Sequence, residues 1–163
     1  MVTEIYWVEA PHGRLAVLAR PRGGDYLDDD ARAWKSNGLT GIVSLLELDE
    51  AESLQLDGEG AEVEAQGMQF FSFPIVDGGA PESMRDARAL IARLVEIVKS
   101  GGAVGAHCRA GIGRSPTIIV ATLAASGVPL ARARRAVSEA RGWPVPETPE
   151  QLEWLEKFTR SSP

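Results

Sequence analysis

The chain has 163 residues and a formal net charge of −6, which argues against broad electrostatic binding to nucleic acid or to an anionic membrane surface. Its 44% hydrophobic content suits one domain over residues 1–163. The single cysteine excludes an internal disulfide framework and a cysteine-rich zinc site, so we expect a reducing, cytoplasmic setting and neither metal nor cofactor. Neither a signal-peptide pattern nor an apolar run of about 20 residues is visible, so we expect no secretion and no membrane insertion.

The first half of the chain predicts strands joined by turns and short helices. Branched and aromatic residues typical of strands recur in four segments: Val2–Glu9, Leu15–Leu18, Gly41–Leu46 and Met68–Phe73. The turn at Pro11-His12-Gly13 makes the first two a hairpin and leaves His12 exposed. Asp25 is the expected N-cap of a helix that Asn37-Gly38 ends. Residues 47–64 are acidic and indicate short helices and a loop.

The second half predicts helices around one central strand. From Glu82 to Lys99, apolar residues recur at helical spacing and stop at Gly101-Gly102. Ala103–His107 then has the composition of a central strand. Further helices are expected in three segments: Ser115–Ala125, Leu130–Arg141 and Pro149–Thr159. Strands that alternate with helices predict an α/β fold with a central, mostly parallel sheet flanked by helices, which binds ligands beyond the carboxyl ends of its strands.

A candidate phosphate loop, His-Cys-Arg-Ala-Gly-Ile-Gly-Arg-Ser at 107–115, joins the central strand to the next helix. Such a turn lets consecutive N–H groups point inward as an anion nest, and the helix dipole adds positive potential. Cys108 is then a thiolate nucleophile, Arg114 a bidentate clamp on phosphate oxygens, and Ser115 a hydroxyl donor to the sulfur. The residues expected to bind phosphate, sulfate or vanadate through their N–H groups are Arg109, Ala110, Gly111, Ile112 and Gly113.

The pattern His-Cys, five residues, Arg-Ser resembles the signature of the protein tyrosine and dual-specificity phosphatase superfamily. Phe73–Pro81 resembles the general-acid loop of its small members that are related to kinase-associated phosphatase. The resemblance implies hydrolysis of phosphotyrosine, and of phosphoserine or phosphothreonine, in a protein or peptide through a phosphocysteine intermediate. It also implies that Asp77 protonates the leaving oxygen, a contribution of about 10²–10⁴-fold, and that His107 supports the loop.

Several side chains have two interpretations at this point. Thr148 to Gln151 has the pattern of a capping box, whereas the resemblance implies a glutamine near this position that orients the hydrolytic water. Asp77 would otherwise shape an Asp-Gly turn. Glu47 would either orient Arg114 or be solvated. The two tryptophans near the end of the chain, Trp143 and Trp154, are expected to anchor the last helices in the core.

Other functions stay open on the sequence alone. A phosphoinositide or an RNA 5′-phosphate would be hydrolysed by the same mechanism, but residues 109–113 hold only Arg109 where phosphoinositide phosphatases of the superfamily often place lysines. The chain has no obvious basic track for RNA. A rhodanese-type sulfurtransferase also places a cysteine loop after a parallel strand, yet it leaves the Asp77 segment unexplained. A phosphate-recognising binding module requires a lost catalytic residue, and none is missing.

Overall fold

The computed structural model describes residues 4–160, in which a five-stranded sheet lies between two layers of helices. The strands are β1 (Ile5–Ala10), β2 (Gly13–Leu18), β3 (Gly41–Ser44), β4 (Gln69–Ser72) and β5 (Ala103–His107). Their order across the sheet is β1-β2-β5-β3-β4. The hairpin of β1 and β2 is antiparallel, and the other three pairings are parallel. The α/β fold with a mostly parallel sheet and a central β5 is therefore confirmed.

Seven α-helices cover the sheet in the described part of the chain. They are α1 (Leu27–Ser36), α2 (Leu48–Ser53), α3 (Glu59–Ala65), α4 (Met84–Lys99), α5 (Arg114–Ala125), α6 (Leu130–Arg141) and α7 (Pro149–Arg160). Side chains alternate between the two faces of each strand, so β2 sends Leu15 and Val17 into one core and Ala16 and Leu18 into the other. The larger core packs against α4 to α7, and the smaller one packs against α1 and α3.

Most predicted boundaries agree with the structure to within one or two residues. Val2 and Thr3, at the start of the first predicted strand, lie outside the described residues. The exposed turn at His12 is confirmed, with a positive φ of 72°. The strand predicted to reach Leu46 ends at Ser44, although the Leu45 N–H still donates to the carbonyl of His107 at 3.1 Å.

The prediction that Asp25 caps α1 was wrong. Asp25 lies within a 3₁₀ turn, Gly24–Tyr26, and α1 begins after Tyr26 without a side-chain cap. The buried carboxylate of Asp30 instead accepts hydrogen bonds from the backbone N–H of Arg22 at 2.8 Å and from its Nε at 2.9 Å. An acidic residue one turn inside the helix therefore holds the preceding segment, a contact that the local cap pattern does not reveal.

The two C-terminal tryptophans behave differently. Trp154 is buried and stacks on Phe158 with ring centroids 5.2 Å apart, as predicted for a core anchor. Trp143 is 56% exposed, so the same prediction was wrong for it. The reason is that Gly142 ends α6 in the left-handed conformation, with φ of 76°, and the chain leaves the core there. Among residues 4–160, no helix is long and apolar enough to cross a lipid bilayer.

Candidate active site

The predicted phosphate loop connects the end of β5, at His107, to the start of α5, at Arg114. Gly111 has a positive φ of 74°, a conformation that glycine adopts without strain and that lets the chain turn tightly. Cys108 is buried at the carboxyl end of β5, and its Sγ lies 3.1 Å from Ser115 Oγ. The structure thus brings the predicted nucleophile and the predicted hydroxyl donor together beneath the N-terminus of a helix.

One edge of the Arg114 guanidinium forms hydrogen bonds, and another has no partner among the described residues. Its Nη1 donates to Glu50 Oε1 at 2.7 Å and to the carbonyl of Ile75 at 2.9 Å. Its Nη2 donates to Glu50 Oε2 at 3.1 Å. Its Nε is buried and has no hydrogen-bond partner among the described residues. A buried N–H without a partner is costly, so this edge of Arg114 is suited to receive an anion.

The carboxylate that orients Arg114 is Glu50, and the suggestion of Glu47 was wrong. Glu47 is the N-cap of α2, where its backbone N–H donates to Glu50 Oε1 at 3.0 Å in a capping box. The helix then places Glu50, three residues later, against Arg114. The hydrogen bond from Arg114 lowers the pKa of the Glu50 carboxyl to about 2, against an opposing effect of burial.

The charge on Arg114 is well supported in this position. Burial by itself lowers the pKa of Arg114, but the hydrogen bond with Glu50 and the nearby Cys108 and Asp77 raise it, and the net pKa lies above its ordinary value. The guanidinium is only 1% exposed. A fixed, buried positive charge beside Cys108 attracts an oxyanion.

Asp77 approaches the same guanidinium from the acid loop, which we define as residues 73–81. Its Oδ1 lies 3.4 Å from Arg114 Nη2, although the side chain is 68% exposed. Ile75, two residues before Asp77, is anchored by two hydrogen bonds. Its carbonyl accepts from Arg114, and its N–H donates to the carbonyl of Leu45 at 3.0 Å. The structure therefore places a solvent-accessible carboxylate beside the phosphate loop, as the sequence predicted.

Gln151 is wholly buried and forms the predicted capping box. Its Oε1 accepts from the Thr148 N–H at 3.1 Å, and Thr148 Oγ1 accepts from the Gln151 N–H at 3.2 Å. The Gln151 Nε2 also donates to the carbonyl of Gly79 in the acid loop at 3.1 Å. The capping interpretation is confirmed by this geometry, and a role in orienting water stays a prediction.

The His107 side chain is fixed at the end of β5, where the phosphate loop begins. Its Nε2 lies 2.6 Å from Glu59 Oε2, and both side chains are buried. The imidazole also stacks on Trp34 at a centroid distance of 6.1 Å. Because the ring is fixed on one nitrogen and one face, it holds the end of β5 in place next to Cys108. The fixed ring is compatible with the structural role predicted for His107.

The outer side of the phosphate loop is held by Arg141. Its Nε donates to the carbonyl of Gly111 at 3.0 Å and its Nη2 to that of Ala110 at 3.3 Å, while the guanidinium lies 4.5 Å from the centre of the Tyr6 ring. Because Arg141 binds these two carbonyls, the N–H groups of the loop remain available to bind an anion inside it. Arg109 is about half exposed, and its Nε donates to Glu50 Oε2 at 3.3 Å.

Sequence reasoning missed four residues that position the site: Glu50, Glu59, Thr148 as a partner of the acid loop, and Arg141. The capping-box spacing of Glu47 and Glu50 was a visible signal for the first. Nothing in the local sequence pairs the others with the loops, because their partners lie 30 or more residues away along the chain. Within residues 4–160, no group of three or more His, Cys, Asp or Glu side chains is arranged to hold a metal ion.

Comparison with known proteins assigns this site to a family. The family model described as "Polymorphic toxin system, DSP-PTPase phosphatase" matches residues 16–128. The comparison with curated proteins gave no significant match. Among solved structures, Tk-PTP in its active form is 32% identical, with a TM-score of 0.74, over 92% of this chain and 94% of that chain.

Two structures with lower sequence identity share the fold. Kinase-associated phosphatase, with serine in place of its catalytic-site cysteine, is 18% identical, with a TM-score of 0.87, over 100% of this chain and 99% of that chain. PTPMT1 in complex with PI(5)P is 21% identical, with a TM-score of 0.74, over 95% of both chains. Since the family model covers more than half of the chain and Tk-PTP is similar over nearly all of it, the chain belongs to the DSP-PTPase family of cysteine-based phosphatases.

Proposed function

We propose that this phosphatase hydrolyses phosphate monoesters of protein side chains, phosphotyrosine above all, through a phosphocysteine intermediate on Cys108. The thiolate attacks phosphorus in line while Arg114 and the N–H groups of residues 109–114 hold the three equatorial oxygens. Asp77 protonates the departing oxygen, and the same carboxylate then takes a proton from the water that hydrolyses phosphocysteine. The Ser115 hydroxyl donates a hydrogen bond to the sulfur as the thiolate leaves.

The observation that carries this proposal is the convergence of three groups on one space. Cys108 Sγ lies 3.1 Å from Ser115 Oγ at the start of α5, the buried Nε of Arg114 has no hydrogen-bond partner among the described residues, and Asp77 lies 3.4 Å from the same guanidinium. A phosphoryl group bound there would supply the acceptor that Arg114 lacks. It would also carry its charge over oxygens that a preorganised nest stabilises. Phosphate, sulfate and vanadate are expected to bind in the same place.

Protein phosphoresidues are favoured over phosphoinositides by the charge of the loop. Arg109 is the one basic residue among residues 109–113, and its Nε is already bonded to Glu50. A phosphoinositide headgroup carries several phosphates and needs several cations beside the reacting one. PTPMT1, whose fold is similar, has been crystallised with PI(5)P, so the two substrate classes are compared directly in the test.

The proposed setting is a single phosphatase domain in the reducing cytoplasm. Cys108 is the only cysteine in the chain, and the mechanism needs it as a free thiolate. No second cysteine is present to protect an oxidised Cys108 as an internal disulfide. A reducing compartment therefore suits the chemistry better than an oxidising one.

A substrate panel tests the proposal. Phosphotyrosine, phosphoserine and phosphothreonine peptides, short-chain phosphoinositides and a 5′-phosphorylated RNA would be compared by their kcat/KM for phosphate release. We expect phosphotyrosine peptides to give the highest value, and vanadate to inhibit. A preference for a phosphoinositide or for RNA would replace the substrate assignment but keep the mechanism. Absence of phosphate release from every substrate, with thiosulfate turnover instead, would overturn both.

A further inference from the structure

Two side chains at the start of α7 bond to the acid loop. Thr148 Oγ1 donates to the carbonyl of Gly78 at 3.0 Å, and Gln151 Nε2 donates to the carbonyl of Gly79 at 3.1 Å. These carbonyls belong to the two residues that follow Asp77. The bonds therefore reach across more than 65 residues of sequence to the segment that carries the proposed proton donor.

The two side chains also fix each other. Gln151 is fully buried, and its Oε1 is occupied by the Thr148 N–H, so the orientation of its amide is determined. The Thr148 hydroxyl accepts from the Gln151 N–H and donates to Gly78. Each group thus uses its cap contact to aim a donor at the acid loop. A buried, mutually oriented pair of donors is more rigid than two independent surface bonds.

Few other contacts hold the tip of the acid loop among the described residues. Asp77 is mostly exposed, and its ion pair with Arg114 spans 3.4 Å. Inside the tip, the Gly79 N–H donates to the carbonyl of Val76 at 2.8 Å. Because the Asp77 carboxylate is 68% exposed, water screens this pair, and the contact with Arg114 alone would hold Asp77 weakly.

Gln151 also lies against the phosphate loop. A Cβ atom placed on Gly113 would come within 3.0 Å of Gln151 Nε2, which means that the amide packs directly on that glycine. One side chain therefore touches Gly113 of the phosphate loop and bonds to Gly79 of the acid loop. Gln151 is thus a direct link between the two loops.

We propose that Thr148 and Gln151 form a polar clamp that positions the acid loop over the phosphate loop, so that Asp77 is in place before substrate binds. The proposal rests on the function proposed above, because Asp77 matters only if it donates a proton. Thr148 and Gln151 act through the loop that carries Asp77 and are positioning residues. The clamp assigns to Gln151 a task different from orienting the hydrolytic water.

One variant separates the clamp from the helix cap, and a second removes one bond of each. Gln151→Glu keeps an oxygen that accepts from the Thr148 N–H but loses the Nε2 donor to Gly79. Thr148→Val removes the donor to Gly78 together with the acceptor for the Gln151 N–H, and Thr148→Ser keeps both. Ser83→Ala is the matched control, since Ser83 Oγ caps α4 by accepting from the Asp86 N–H at 3.1 Å. That cap lies just after the acid loop, and among the described residues Ser83 Oγ forms no hydrogen bond with Gly78 or Gly79.

Hydrogen exchange of the peptide covering residues 73–81 reads the position of the loop without any turnover. We expect Gln151→Glu and Thr148→Val to speed exchange at Gly79 about tenfold or more, whereas Thr148→Ser and Ser83→Ala should leave it as in the unchanged protein. Exchange in β5 and α5 should not change in any variant. Unaltered protection of residues 73–81 in both clamp variants would overturn the clamp, even if the protein is an active phosphatase.

Turnover of two esters adds a second readout. For both clamp variants, the loss of kcat/KM, which covers the formation of phosphocysteine and not its hydrolysis, should be at least about tenfold larger with phenyl phosphate, whose leaving group needs a proton, than with nitrophenyl phosphate. An equal loss with both esters would mean a general structural effect and would contradict the clamp. If the unchanged protein hydrolyses neither ester, the proposed function fails, and the exchange measurement still decides whether the clamp exists.

Discussion

The phosphate loop and the acid loop meet at one site but are held in different ways. The phosphate loop lies between a central strand and a buried helix, and its key side chains, Cys108 and Arg114, are almost completely buried. The acid loop carries Asp77 on an exposed segment that is joined to the rest by a few hydrogen bonds. The comparison teaches that the proposed nucleophile and anion ligand are held by the core of the fold, whereas the proposed proton donor is held by a small number of long-range polar contacts.

The largest effect is expected at the base of the phosphate loop. Cys108→Ser should lower kcat by about 10⁴-fold or more, because a serine hydroxyl in this site is a far weaker nucleophile than a thiolate. Phosphate binding should persist, since the backbone nest and Arg114 are unchanged. Activity would be followed with nitrophenyl phosphate, and binding by calorimetry with phosphate. Retention of a tenth of the activity would place the nucleophile elsewhere.

Arg114→Lys should be nearly as severe, with a loss of about 10³-fold in kcat/KM. A lysine cannot reproduce the fork that binds Glu50, the carbonyl of Ile75 and phosphate at once. The measurement is kcat/KM for a phosphotyrosine peptide, with circular dichroism to confirm folding. Arg93→Lys on α4 is a control, because Arg93 is exposed and lies 5.2 Å from the Phe71 ring, away from both loops. A loss below tenfold would contradict the bidentate geometry.

The acid loop should give a smaller effect that depends on the ester. Asp77→Asn is expected to lower kcat by about 10²-fold for phenyl phosphate and by only a few-fold for the formation of phosphocysteine from nitrophenyl phosphate. The reason is that nitrophenolate departs readily without a proton. Rapid-mixing kinetics with both esters would measure the difference. If the loss were the same for both, Asp77 would merely shape the loop.

Glu50 should have the smallest effect on turnover and a distinct effect on stability. Glu50→Gln weakens the hold on Arg114, and we expect a loss of about tenfold in kcat/KM. The pKa of Glu50 is about 2, against an ordinary value of 4.5. A lowered pKa means that the carboxylate stabilises the fold above pH 4.5 and that this stabilisation, at most about 3 kcal/mol, disappears as the pH falls toward 2.

Urea unfolding of the unchanged protein and of Glu50→Gln between pH 7 and pH 2.5 tests the predicted effect on stability. The free energy of unfolding of the unchanged protein should fall more steeply below pH 4.5 than that of Glu50→Gln, and the two curves should converge at the acid end. Parallel curves over the whole range, with or without a constant offset between them, would show that ionisation of Glu50 contributes nothing to stability.

The same difference between the loops explains what the sequence could predict. The phosphate loop is one continuous segment, so its spacing reveals Cys108, Arg114 and Ser115 together with the strand and the helix that frame it. The acid loop was found through a resemblance, and its partners were not found, because Thr148 and Gln151 show only a local cap pattern. Glu50 was not found, and Glu47, three residues earlier, was left with two interpretations. The turn of the helix decides which acid faces Arg114, and composition does not reveal that turn.

The helices, the sheet and the buried side chains were also predicted unequally well. Segments rich in branched and aromatic residues and the helical spacing of 82–99 predicted the sheet and α4 correctly, because burial of apolar side chains dominates their energy. Trp143 and Asp25 were mispredicted because each depends on how the chain turns at a neighbouring glycine, Gly142 or Gly24, rather than on its own preference.

The most direct test of the account is to trap the covalent intermediate. Asp77→Asn would be mixed with nitrophenyl phosphate and quenched in acid within the first turnovers, because this ester forms phosphocysteine without a proton donor while its hydrolysis lacks the base. Mass analysis of the peptide that contains Cys108 should show one added phosphoryl group, which is absent from Cys108→Ser treated in the same way. Release of nitrophenol with no phosphoryl group on that peptide, at any time point, would contradict the phosphocysteine mechanism.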